Sequence, residues 1–303
     1  RMKKFILQTA LFLLPFLLLF SLIESLYTRV PNIYSKKSEI VAHRFDSIMV
    51  TIMGPSVTLR GVNPDYIQQP TYNLSLNGLD WEMGLAVTHY MLNFPNDIRH
   101  IILSSNINNL YQGPREIKGS DRVYFAKYFD LPEFRTYLAQ EKGLLMIQRI
   151  LKYHLRGIEP NLKIDSSGFS TQRKKKDVDL AKEGNRLEAL LQWNNTRFIP
   201  SKQENLDSII SICERNNIHL TLLSPPVHSS FRPKDIEEKS KRVDGILESY
   251  DQQFDHVHFL NWMEHPEFKA EYFNDPIHLN EQGARKLSIM LDAHIQNLES
   301  IEN

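Results

Sequence analysis

The chain is poor in the residues that staple a fold or give it a strong net charge. It holds one cysteine, Cys213, in 303 residues, so no intrachain disulfide can form and a framework of small stapled loops is excluded. Cys213 falls in an amphipathic helical pattern, which predicts a buried apolar role rather than redox chemistry. Lys plus Arg and Asp plus Glu both number 36, so there is no global basic field and no nucleic-acid partner is expected. The densest local charge, Arg173-Lys174-Lys175-Lys176, is expected to be a solvated helix start or a contact with anionic polymer or lipid headgroups. Internal repeats are missing. His256 and His258 share a strand face, but no third ligand lies near them in sequence, so neither a metal site nor a cofactor is expected. Trp81, Trp193 and Trp262 are expected to be packing residues.

One long apolar run is present. Arg1, Lys3 and Lys4 precede an uncharged stretch from Phe5 to Ile23, about 19 residues or about 28 Å as a helix, close to the hydrocarbon thickness of a bilayer. This predicts a membrane anchor over residues 1–24, single-pass, with Pro15 tolerated inside it. A cleaved signal peptide is the alternative, opposed by the length of the run and by the lack of a small-x-small site before Glu24. Positive charge ahead of the run predicts a cytoplasmic N-terminus and a globular part outside the cytoplasm, on the periplasmic or extracellular face of a bacterial inner membrane. Residues 25–44 are expected to be a linker.

Beyond it, residues 45–303 alternate between apolar strand candidates at 46–53, 70–76, 100–104, 218–223 and 257–261 and helical patterns at 80–93, 201–217, 235–253 and 281–298. This order predicts a parallel sheet covered by helices. In the last helix Asn280 is the expected N-cap, and Ala284, Leu287, Leu291 and Ile295 form its core stripe. Residues 108–200 read as an inserted helical cap, with helical patterns at 134–155 and 177–192 around a polar stretch at 165–176.

The stretch from Tyr272 to Asn280 carries chemistry. Asp275 stands three residues before His278, close enough for the carboxylate to hold the imidazole, fix its tautomer and stabilise the imidazolium formed when it takes a proton. The nucleophile expected to partner it is Ser56, which follows the apolar run ending at Met53 and opens the segment after Gly54-Pro55, at the carboxyl end of a strand where open α/β sheets bind ligands. Arg60, one turn later, is a candidate for binding an anionic substrate. His228, in the loop after the 218–223 strand, is a second candidate substrate contact. For each, the competing reading is structural: a surface ion pair for Arg60 and an exposed loop histidine for His228.

The strand followed by Gly-x-Ser, the second strand ending at Asn77-Gly78, and Asp275-x-x-His278 followed by Leu279-Asn280 and Gly283 resemble the SGNH (GDSL-like) hydrolase superfamily. The membrane-anchored DltD-like branch, whose members are partners of membrane-bound O-acyltransferases, is the most similar part of it. The resemblance covers roughly residues 45–110 and 215–298. It implies a flavodoxin-like three-layer α/β sandwich and a Ser56-His278-Asp275 triad. It also implies an oxyanion site from the Gly78 amide and from Asn106, which follows the 100–104 strand in Ser104-Ser105-Asn106. Two departures stand out: Pro55 replaces the family's Asp or Asn before the serine, and the third block lacks the Gly-x-Asn-Asp form. The activity implied is O-acyl transfer to a cell-envelope polysaccharide or teichoic-acid-like polymer, with a membrane-bound O-acyltransferase as partner. A periplasmic carbohydrate esterase and a non-catalytic adaptor are the alternatives.

Overall fold

A computed structural model of the chain describes residues 1–111, 119–131, 143–171, 178–184, 196–231 and 236–302. The expected positions Trp193 and Arg173–Lys176 lie outside the described residues, as do parts of the helical patterns at 134–155 and 177–192.

Five strands, β1 (Val50–Met53), β2 (Thr71–Asn73), β3 (His100–Ser104), β4 (His219–Ser224) and β5 (Val257–Asn261), form one parallel sheet in the order β2-β1-β3-β4-β5. This is the doubly wound flavodoxin-like order, which reverses direction at the β1/β3 boundary. The strands are short and their central residues are mostly apolar, with helices covering both faces of the sheet. Neighbouring residues divide between two cores, as the two-residue period of a strand requires. Met53, Ile101, Leu103, Leu220 and Leu222 pack with Val87, Ile209 and Leu247. Those partners come from helices α4 (Trp81–Leu92), α8 (Ile199–Arg215) and α9 (Ile236–Gln253). Ile52, Ile102 and Leu223 face the opposite way, onto Leu287, Leu291 and Ile295 of α10 (Glu281–Glu302). Each of those three α10 side chains is almost fully buried, worth about 1.5–3 kcal/mol apiece as an upper estimate. The three-layer α/β sandwich expected from the sequence is therefore the observed architecture. Trp81 is wholly buried, with its indole N–H donated to Ser105 Oγ at 3.2 Å.

Two expected strands are shortened. Residues 45–47 form a 3-10 turn before β1. Past β2, residues 74–76 leave the regular ladder yet keep bonding to the neighbouring β1 segment, Leu74 N–H to Ile52 O and Leu76 N–H to Gly54 O.

The N-terminal run forms α1 (Met2–Thr28), with a mean hydropathy of 2.4 over its most apolar stretch and none of that stretch buried. Length and composition suit it to cross a membrane or to serve as a signal sequence.

The linker expected at residues 25–44 is corrected. Those residues complete α1 and form α2 (Ile33–Arg44), with Tyr34, Lys37, Ser38 and Val41 buried. Asn32 and Ser35 start α2 through a reciprocal capping box, which satisfies amides that a free helix end would expose. A linker cannot bury side chains in the core. The insertion also has a different place from a simple cap: after the short α5 (Ile107–Tyr111), α6 (Gly119–Tyr128) packs on α2, and α7 (Gly143–Arg156) packs on α1. Residues 165–170 brace the β2 edge, where Asn73 N–H donates to Ser167 O at 2.9 Å.

Candidate active site

Ser56 is the first residue of a short helix, α3 (Ser56–Gly61), with Pro55 as its N-cap. Proline fits there because an N-cap amide makes no intrahelical bond. The Pro55 carbonyl accepts the N–H groups of Thr58 and Leu59 at 3.2 and 3.1 Å. Gly54 is required by close approach, since a Cβ there would overlap the Ser104 side chain and the Thr58 hydroxyl. The β1-α3 turn thus packs tightly on the end of β3, at the switch point of the sheet.

Instead of a plain loop, the histidine segment is a small antiparallel hairpin of β6 (Phe273–Asp275) and β7 (His278–Leu279), in which Asp275 pairs directly with His278. Directly opposed residues of an antiparallel pair carry their side chains on one face, which explains how the carboxylate meets the imidazole. His278 Nδ1 lies 2.9 and 3.0 Å from the two Asp275 oxygens. Asp275 Oδ1 also accepts the backbone N–H groups of Ile277 and His278. Burial pushes the Asp275 carboxyl up, but the hydrogen bond and charge of His278 and these two amides outweigh it and hold the group below its ordinary value.

The hairpin is seated by the N-terminus of α10. Asn280 caps it through Gly283 N–H at 3.0 Å and donates its own amide to Glu271 O at 2.6 Å. A Cβ at Gly283 would collide with Tyr272 O and the Leu279 side chain, so glycine lets the segment carrying Asp275 and His278 lie against the helix.

These elements bring His278 Nε2 to 2.8 Å from Ser56 Oγ. Arg60 Nη1 is 3.2 Å from the same nitrogen. A guanidinium only donates, so this contact requires an unprotonated Nε2 and places the imidazole proton on Nδ1, toward Asp275. Burial pushes the Arg60 guanidinium below its ordinary value, with the Asp275 charge acting in the opposite direction. Ser56, His278, Asp275 and Arg60 therefore meet in one cluster. Its members could take a proton from a hydroxyl nucleophile and hold an anion beside it.

The other sequence candidates lie around this cluster. Asn106 follows β3, its side-chain amide 3.5 Å from Ser104 Oγ, on the side where Ser104 abuts Gly54. Gly78 ends the segment that leaves β2 alongside Gly54 and has a φ of +72°, a left-handed conformation natural to glycine. His228 is tied to the hairpin: its N–H donates to Pro276 O at 2.8 Å and its ring meets Phe273 edge-on. Its imidazole is pushed down by burial.

A buried polar network beneath α3 had no clear sequence signal. Asn73 donates its side-chain amide to Thr58 O and Val62 O at 3.0 and 2.8 Å and accepts Ser75 N–H. Lys37, fully buried, donates to the carbonyls of Asn73, Ser75 and Gly168 at 2.5, 2.7 and 2.9 Å. Polar Asn73 and Ser75 inside an apolar run were the one available hint. Lys37 offered none.

His258 turns away from His256 and toward His219, whose Nδ1 lies 3.1 Å from His258 Nε2. His100 and His294 complete the group through Thr221 Oγ1, at 2.7 and 3.1 Å. Among the described residues, no group of three or more His, Cys, Asp or Glu side chains is arranged to hold a metal ion.

No family model and no curated protein matches this chain. Three solved structures are similar to it in coordinates. A protein from Streptococcus pneumonia assigned as a platelet activating factor shares 14% identity, a TM-score of 0.47, and coverage of 86% of this chain and 90% of its own. An assigned acylhydrolase from Bacteroides fragilis shares 11% identity and a TM-score of 0.45, over 88% of this chain and 95% of its own. A GDSL-like lipase from Bacteroides thetaiotaomicron shares 10% identity and a TM-score of 0.42, over 90% and 98%. The strand order and the cluster geometry, rather than these likenesses, define the fold and the site.

Proposed function

We propose that this chain is a serine-dependent acyl-transfer enzyme, and the observation that carries the reading is the 2.8 Å contact of Ser56 Oγ with a His278 whose far nitrogen is held by Asp275. Ser56 Oγ attacks an ester carbonyl while His278 Nε2 takes its proton. The resulting imidazolium is stabilised by Asp275. The tetrahedral oxyanion is received by the Ser56 and Gly78 amides, helped by the Asn106 side chain. His278 then protonates the leaving alkoxide, leaving an acyl ester on Ser56. An acceptor hydroxyl then gives its proton to His278 and takes the acyl group, and His278 returns that proton to the departing Ser56 Oγ.

The finer reading is O-acyl transfer to a cell-envelope glycopolymer, such as a polysaccharide or teichoic-acid-like polymer, outside the cytoplasm of a bacterium. A membrane-bound O-acyltransferase supplies the acyl group. The apolar α1, read as a single-pass span with a cytoplasmic N-terminus, supports it by holding Ser56 near the membrane surface. With water as acceptor the same chemistry is that of a carbohydrate esterase.

A serine-directed fluorophosphonate tests the core of this proposal on the full chain in detergent. The wild type is expected to label, Ser56→Ala to lose the label and His278→Ala to lose most of it. Wild-type labelling of Ser56→Ala would remove Ser56 from the mechanism, and an unlabelled wild type would favour a non-catalytic adaptor.

A further inference from the structure

Helix α7 exposes apolar side chains on one side. Leu144, Ile147, Leu151 and Leu155 are 73%, 44%, 46% and 76% exposed. At 100° per residue they fall within an arc of about 80°. The neighbouring arc, with Met146 and Ile150, is buried against the protein. Beyond the stripe, Lys152 and Arg156 are exposed. Ile158, just past the helix, is another 51% exposed apolar residue. Apolar side chains in such a row on a water-facing surface require a cover. A helix with an open apolar stripe and flanking basic groups matches those that lie in a membrane interface.

The position of α7 identifies the cover. It is fastened to the last turn of α1: Arg149 Nη1 donates to Tyr27 Oη at 2.7 Å, and His154 Nε2 donates to Leu26 O at 2.8 Å. Tyr128 of α6 adds a bond to Thr28 O at 2.9 Å. Leu26 is about 4.5 Å of helix rise beyond Ile23, where the apolar run of α1 stops. If α1 spans a bilayer, α7 sits at the level of the headgroups and cannot leave them without breaking these bonds.

We propose that α7 lies in the headgroup region of the membrane beside α1, with Leu144, Ile147, Leu151 and Leu155 in the acyl-chain boundary and Lys152 and Arg156 toward anionic headgroups. This rests on the reading of α1 as a span. It makes the junction a two-point attachment, one helix across the bilayer and one along its surface, which fixes the tilt of the α/β domain instead of leaving it on a tether.

Site-specific quenching tests it on the full chain in vesicles of phosphatidylcholine and phosphatidylglycerol. The native Cys213 is buried and its thiol is pushed up to about 12 by that burial, so it serves as a silent background. Cysteines introduced as Leu13→Cys on α1, Leu151→Cys and Leu155→Cys on α7, and Glu248→Cys on the exposed side of α9 carry an environment-sensitive fluorophore. Nitroxide lipids labelled high on the acyl chain are expected to quench positions 151 and 155 several-fold more than position 248, and deep nitroxides to quench position 13. Quenching at 13 with none above the 248 level at 151 and 155 would overturn the α7 proposal and keep the span. Quenching at 151 and 155 with none at 13 would refute the span and keep the surface contact. No quenching at 13, 151 or 155 would refute both, and protection of 151 and 155 from a water-soluble maleimide in that case would assign the stripe to a protein cover.

Discussion

Arg60 and Ser56 address the same nitrogen: Arg60 Nη1 stands 3.2 Å and Ser56 Oγ 2.8 Å from His278 Nε2. A neutral imidazole nitrogen has a single lone pair, so the two donors compete for it in the absence of substrate. An anionic group on a substrate would draw the guanidinium away and leave Nε2 to the serine.

An Arg60 that binds an anionic group on the substrate is expected to discriminate by substrate charge. In Arg60→Ala, kcat/KM for an ester with a carboxylate or phosphate near the acyl group is expected to fall roughly ten- to a hundredfold, the worth of a charge-assisted hydrogen bond. A neutral ester of the same leaving group is expected to react at least as fast as with the wild type. Equal losses for both esters would reduce Arg60 to a structural role.

In the proposed mechanism Asp275 acts through His278. Asp275→Asn is expected to preserve the hairpin yet slow fluorophosphonate labelling of Ser56 by roughly a thousand- to ten-thousandfold, because an amide can hold the imidazole in the wrong tautomer. The rate of labelling, measured alongside an unchanged melting temperature, checks this.

Lys37 holds the floor under the helix that carries Ser56. Burial drives its ammonium well below its ordinary value, partly opposed by Asp165, and its three acceptors are backbone carbonyls at the end of β2 and in the 165–170 brace. Lys37→Met fills the same space but leaves those carbonyls unbonded. A loss of at least about 3 kcal/mol in denaturant unfolding is expected, and a near-neutral result would mean that water or a local shift replaces the ammonium.

The histidine group at the opposite end of the sheet predicts acid sensitivity. Burial and the neighbouring His219 and His294 lower His258 from 6.5 to about 4, with Asp251 pulling the other way. A histidine whose folded value is depressed binds its proton more readily in the unfolded chain. Its contribution is therefore full above pH 6.5 and is lost as the pH falls toward 4. Discounted for partial exposure, the loss is on the order of 1–2 kcal/mol. Melting temperatures across this range should fall less steeply for His258→Gln than for the wild type, and identical slopes would count against the histidine group.

The sheet was legible because parallel strands buried on both faces must be short, apolar and β-branched, and because βα alternation admits few connections. The Asp275-His278 spacing was legible for a local reason, since two residues that pair across a tight hairpin are close in sequence. The α10 cap at Asn280 followed from the same short-range chemistry. By contrast, residues 25–44 read as a linker because α2 buries a lysine, and no local pattern announces that the carbonyls of residues 73, 75 and 168 wait for its ammonium. The His258-His219 contact was hidden for the same reason: its partner sits on an adjacent strand 39 positions away. What the sequence by itself determined is the parallel sheet with its main covering helices and the identity of the candidate residues Ser56, Asp275 and His278. Only the tertiary structure decided that Ser56 meets a histidine 222 positions away, that Arg60 shares it, and that α7 is fixed to the last turn of α1, because the spacing of distant residues is set by how helices and sheet pack and leaves no local trace.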